Sequence, residues 1–136
     1  MRRIRLILLL IATVAAIAGC GGSANDAAVR GVAGRFLDGV GSGDGKTACA
    51  QLSPQTRAEL EKSEQRQCSA AVTQLKLHPG RVARVDVYVL NAMVELTSGE
   101  TEFLEEGSQG WRLTAVGCTP RAGEPVDQPY DCKLQD

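Results

Sequence analysis

Apolar positions change their spacing halfway along the chain. In the first half Val29, Val32, Ala33, Phe36, Leu37 and Val40 recur at i, i+3, i+4, i+7, i+8 and i+11, with Arg30, Arg35 and Asp38 off the stripe. That spacing puts the apolar side chains on one side of an α-helix. Asp26 is placed to cap it, and the cluster Gly39-Val40-Gly41-Ser42-Gly43 ends it. Gly43-Asp44-Gly45 reads as a turn, and Lys46 to Leu52 as a short helix with Ala48, Cys49 and Leu52 inward. Ser53 as N-cap and Pro54 at the first helical position open a mostly polar helix over 55–63, with Ala58 and Leu60 as its apolar contacts. Cys68, Ala71, Val72 and Leu75 give one more helical stripe before His78-Pro79-Gly80.

The second half alternates with a period of two. Val85, Val87 and Val89 alternate with Asp86 and Tyr88, and Ala92, Val94 and Leu96 with Met93 and Glu95. After the turn signal Ser98-Gly99, Thr101 and Phe103 point one way and Glu102 the other. After the turn Gly107-Ser108-Gln109-Gly110, Trp111, Leu113 and Ala115 alternate with Arg112 and Thr114. Half-buried strands in this order make a four-stranded antiparallel meander. The tail from Thr119 carries three prolines and Cys132 and reads as an extended segment. Helices followed by a one-sided antiparallel sheet is an α+β plan.

Ahead of the domain, Met1-Arg2-Arg3-Ile4-Arg5 supplies positive charge and residues 6–18 carry none. Thirteen uncharged, mostly apolar residues fit a secretory signal and fall short of the roughly 20 that a membrane span needs. The run ends in Ile17-Ala18-Gly19-Cys20, which resembles the lipobox of bacterial lipoproteins. That resemblance implies acylation of the Cys20 thiol, cleavage ahead of it, and attachment to the extracytoplasmic face of the cell membrane by fatty acyl chains such as palmitate. The expected organisation is a signal peptide at 1–19, the lipidated cysteine and a short tether at 20–25, and a single α+β domain at 26–136 with a disulfide-pinned C-terminal tail. The excess of Arg over Lys, with abundant Ala, Gly and Val, suggests a GC-rich bacterial genome, in keeping with an actinobacterial source.

Charge and cysteine content narrow the chemistry. Three arginines leave with the signal, so fifteen basic residues fall to twelve against sixteen acidic, a formal charge of −4. That balance argues against nucleic acid as a partner and against electrostatic adhesion to anionic lipid. With Cys20 assigned to lipid, Cys49, Cys68, Cys118 and Cys132 remain, an even number that reads as two disulfides in an exported domain. Of the three pairings, proximity along the chain favours Cys49–Cys68 and Cys118–Cys132. No Cys-x-x-Cys is present, which argues against both a zinc site and a redox motif.

Other chemistries are poorly represented. Gly45-Lys46-Thr47 lacks the upstream glycine of a P-loop, where Val40 stands, and follows a helix instead of a strand. Gly39, Gly41 and Gly43 lack the dinucleotide fingerprint's third spacing. His78 is the only histidine, and no Gly-x-Ser-x-Gly elbow exists. Glu59, Glu61, Lys62, Glu64 and Arg66 make a solvated mixed-charge face, and five aromatic residues are too few for a stacking platform. Neither a metal nor a cofactor is expected.

The element order, carried by the stripe Val29 to Val40, the break Gly43-Asp44-Gly45 and the meander ending Gly110-Trp111-Arg112-Leu113, resembles the NTF2-like (cystatin-like) superfamily. The resemblance implies N-terminal helices packed on a curved four-stranded antiparallel sheet, a cone. It also implies a pocket between helix and sheet, lined by Val29, Val32, Phe36, Val40, Val87, Val94, Phe103, Trp111 and Leu113. These side chains would hold a small apolar ligand or a partner peptide, or fill the space as a core. Enzymes of the superfamily place an acid in the cone. Asp38, Asp86 and Glu95 are the candidates here, with Asp38 as base in an isomerase or cyclase reading, although all three lie off the apolar stripes. A third reading is an envelope protein-interaction module, with Arg84, Asp86, Glu95, Glu102 and Arg112 on the open sheet face. The leading expectation is a lipid-anchored binding or accessory domain without catalytic activity. Replacing Cys20 with Ser is expected to release the protein or leave it as an uncleaved precursor. Fractionation and intact mass check this, and a cleaved form still held at the membrane would contradict it.

Overall fold

The computed structural model describes residues 21–122 and 129–136, with side chains from residue 24 onward. Cys20 and the signal segment lie outside the described residues. Helix α1 spans Gly21–Ser42, followed by α2 Gly45–Cys49, α3 Pro54–Glu64 and α4 Cys68–Ala71, which runs into a 3-10 turn at Val72–Gln74. The strands are β1 Val82–Tyr88, β2 Asn91–Leu96, β3 Thr101–Gly107, β4 Gly110–Pro120, β5 Tyr130–Asp131 and β6 Leu134–Gln135. They form one antiparallel sheet in the order β1-β2-β3-β4-β5, with β6 also paired to β4. The α+β class is therefore as expected, but the sheet has two more strands than the expected four. Both come from the tail, because backbone groups of the second half of β4 would otherwise lack partners. The Lys133 N–H donates to the Val116 carbonyl and the Asp136 N–H to that of Thr114.

Helix α1 begins upstream of Asp26, so Asp26 is not its cap and the expected tether at 21–25 is helical. No proline interrupts this segment, and a helix already nucleated by packing extends at the cost of one residue's order per hydrogen bond. The stripe is as expected. Val29, Val32, Ala33, Phe36 and Leu37 are buried in the core, with Val40 packed against it. Each large apolar side chain fully buried this way contributes roughly 1.5–3 kcal/mol. Gly43, with φ of 77°, ends the helix where a side chain would be strained.

The connecting helices are held close. Asp44 caps α2 by accepting from the Thr47 N–H at 3.1 Å and the Thr47 hydroxyl at 2.6 Å, bonds that lower its pKa. A Cβ on Gly39 would stand 2.8 Å from the Ala48 nitrogen, and one on Gly45 only 1.7 Å from the Ser69 carbonyl oxygen. Disulfides join Cys49 to Cys68 and Cys118 to Cys132, the pairing expected from the sequence. Ser53 caps α3 by accepting from the Thr56 N–H at 3.0 Å. The buried residues of α3 are Thr56 and Leu60. Ala58 is exposed, contrary to expectation, because the i, i+4 pair facing β4 begins at Thr56, whose hydroxyl donates to the Thr114 carbonyl at 3.2 Å.

Simple alternation is broken at the β1–β2 turn and by register shifts in β1, between Val82 and Arg84, and in β4. β1 stops at Tyr88, and Val89 and Leu90 form the turn into β2, so Val89 is exposed instead of facing the core. In β4 the partners step from Leu104–Leu113 to Phe103–Ala115, leaving Thr114 as an extra residue. This bulge moves Ala115 off the face of Trp111 and Leu113 and returns Val116 to the core. Replacing Gly45 with Ala is expected to destabilise the fold by about 2–4 kcal/mol, since the obstructing atom is backbone. Chemical denaturation checks this, and unchanged stability would contradict the close approach of α2 to α4.

Candidate functional site

The inner face of the sheet is the one covered by α1. Its rows follow from the pairing register. Val87, Ala92, Leu104 and Leu113 lie opposite one another across four strands, and Val85, Val94 and Glu102 form the next row. The partners named in these rows belong to the apolar core or pack against it, with the exception of Glu102. Glu102 is only 1% exposed, lies across from fully buried Val94, and is two residues along the strand from buried Leu104. Its side chain thus points inward.

This reverses the orientation expected for β3. Leu104 faces the core and takes Glu102 with it, so Phe103 turns to the outer face. There Phe103 meets Tyr130 edge to face, with ring centroids 5.0 Å apart, and the Tyr130 hydroxyl lies 3.8 Å from the Met93 sulfur. Phe103 and Tyr130 border a groove of about 330 Å³ on that face, together with Ala115 and Cys132. Phe103 is therefore not among the residues between helix and sheet. Val29, Val32, Phe36, Val94, Trp111 and Leu113 are brought together there as buried core, with Val40 and Val87 at its margin.

The chemistry of the inner face centres on two polar atoms. Glu102 Oε2 and the Trp111 indole Nε1 are buried and have no hydrogen-bond partner among the described residues. They flank the Leu104–Leu113 pair from opposite sides along the strands. Burial, with a smaller contribution from the neighbouring Glu100 charge, pushes the Glu102 carboxyl up from its ordinary 4.5 to about 8. At neutral pH Glu102 is accordingly protonated and offers an O–H donor. Glu100 is also buried, accepting from the His78 N–H at 3.1 Å and lying 2.8 Å from His78 Nδ1.

The acids singled out from the sequence lie elsewhere. Asp38 is exposed on α1. Asp86 pairs with Arg84, whose Nε and Nη2 donate to Oδ1 at 3.2 and 3.0 Å. Oδ2 lies closer, 2.9 Å from Nε, but off the N–H axis. Glu95 stands opposite Arg84. Arg84, Asp86 and Glu95 lie on the outer face of the sheet, with Arg84 and Asp86 as an ion pair, and Glu102 is missing from that face. Among the described residues no group of three or more His, Cys, Asp and Glu side chains is placed to hold a metal ion, and no helix is long and apolar enough to cross a membrane.

Glu102 makes stability depend on pH. Between its unfolded value near 4.5 and its folded value of about 8 the native state binds the extra proton. Stability therefore falls as pH rises through that window, by on the order of 5 kcal/mol in total. Replacing Glu102 with Gln is expected to remove this slope, leaving the variant with the larger relative gain at pH 8. Urea titrations at pH 5 and pH 8 check it, and equal slopes in the two proteins would contradict the assignment. No protein-family model, curated protein or solved structure matches this chain.

Proposed function

We propose that the protein is a lipid-anchored binding or accessory domain at the extracytoplasmic face of a bacterial cell membrane, working without catalysis. The anchor reading is supported by Ile17-Ala18-Gly19-Cys20 behind a charge-free run, and by two disulfides, which suit an oxidising compartment. An NTF2-like cone is supported by α1 lying on the inner face of an antiparallel sheet whose fourth strand is bent by bulges.

The observation that carries the binding reading is the orphaned Glu102 carboxyl on the inner face. A small apolar molecule bearing one carbonyl or ether oxygen would accept from protonated Glu102 and bury its remainder against Val29, Val94 and Phe36. The space is closed by packed side chains, so such a ligand would enter by parting α1 from the sheet. A second reading is favoured by the same residue. In an isomerase or cyclase of the superfamily's enzymatic type, Glu102 and not Asp38 would be the acid, donating a proton at neutral pH.

Native mass spectrometry of the chain extracted from the membrane of a bacterial host tests the binding reading. The expected result is an acylated protein four protons short of its reduced mass and carrying a small-molecule adduct that Glu102→Leu weakens. A bare acylated protein of the same oxidation state would mean that the interior is core alone and would contradict ligand binding.

A further inference from the structure

The turn between β1 and β2 places three large apolar side chains in solvent. Tyr88, Val89 and Leu90 are 57%, 86% and 52% exposed, and no other large hydrophobic residue among the described ones is comparably exposed. They are consecutive, at the end of a hairpin, and form one patch. Val89 has a φ of 56°. A β-branched residue in this region is strained, and a two-residue hairpin turn ordinarily takes Gly or Asn there. The tip thus departs twice from what folding alone favours, in exposure and in backbone conformation. Strain with no evident structural return points to a contact made outside the domain.

We infer that this hairpin tip inserts into the acyl boundary of the membrane to which the protein is tethered. The inference rests on the lipid-anchor reading of Cys20. Helix α1 begins at Gly21, the residue after that cysteine, so no flexible spacer separates the domain from the bilayer. Of the strands, β1 is the one α1 packs against most, and β1 runs directly into the tip. Three side chains are too few to hold a protein to a bilayer unaided. Confinement by the anchor makes the second contact effectively intramolecular, so a small apolar area suffices.

The surroundings of the tip set its depth. Exposed Glu105 stands opposite Asn91, and the Glu106 N–H donates to the Leu90 carbonyl at 2.8 Å. The Glu105 carboxylate stays in water, so Val89 and Leu90 enter while Tyr88 remains at the interface, where its hydroxyl is wet and its ring is not. A second copy of the chain fits less well, since a stable interface needs about 800 Å² from each partner, far more than three side chains supply.

The test uses the acylated full chain, purified from the membrane and reconstituted in phosphatidylcholine vesicles with or without brominated acyl chains. Leu90→Trp reports on the tip, and buried Trp111 in the wild-type protein serves as the reference. The expected result is a blue-shifted added emission that is lost in brominated vesicles, with the reference emission retained. Tyr88→Trp repeats the measurement at the neighbouring position should Leu90→Trp fail to fold. Added emission that stays at the water-exposed wavelength, in protein that sediments with the vesicles, overturns the insertion. Blue-shifted emission that bromine does not quench means that protein covers the tip, and overturns lipid as the occupant. Should the host yield only chain with an unmodified Cys20 that stays in the supernatant of the vesicles, the anchor reading is overturned, and this inference with it.

Discussion

The fold depends on one contact, the apolar stripe of α1 laid on the inner face of the sheet. A 22-residue helix with five of its side chains in the core gives this small domain a continuous interior that neither the short helices nor the meander could supply alone. The remaining elements secure that contact. Gly39 and Gly45 let α2 approach α1 and α4 within backbone distance, and Cys49–Cys68 closes the same helical corner. Cys118–Cys132 holds the tail along β4, where Leu134 adds to the core.

With α1 over the inner face, the central inward positions of the sheet, Ala92, Val94, Glu102, Leu104 and Leu113, are removed from water. This is why Glu102 matters. An ionised carboxylate there would lose its hydration without gaining a partner, and the side chain resolves the conflict by keeping its proton. The outcome is a hydrogen-bond donor set among valines and leucines, a group better suited to meeting an oxygen atom than to holding the fold together. The outer face takes the opposite solution, with Arg84 and Asp86 paired at the surface and Phe103 against Tyr130 under the tail.

Much of this was legible in the sequence. The stripe from Val29 to Val40, the Ser53-Pro54 helix start and the switch to period two each reflect a strong local rule, and the structure follows them. The disulfide pairing was legible because neighbours in sequence close the smallest loops. The orientation of β3 was not, because Phe103 and Leu104 are adjacent and either could lead the buried face. The choice is made by register with Ala92 and Val94, which a single strand does not encode. The β4 bulge was hidden for the same reason. The Val89-Leu90 turn carries no Gly, Pro, Asn or Asp of its own, and the only trace of it is the shift of apolar positions from odd numbers up to Val89 to even numbers from Ala92. Residues 21–25 read as a tether on composition, yet nothing in them stops a helix nucleated downstream.

Everything drawn from the inner face turns on Glu102 being a buried, protonated carboxyl across from Val94. Carbon-13 NMR of the full chain labelled at glutamate side-chain carboxyls measures it directly, with Glu102→Gln assigning the resonance. Glu102 is expected to titrate with a midpoint near 8. A midpoint near the ordinary 4.5 would mean that the side chain reaches water, and would contradict both its place on the inner face and the binding chemistry drawn from it.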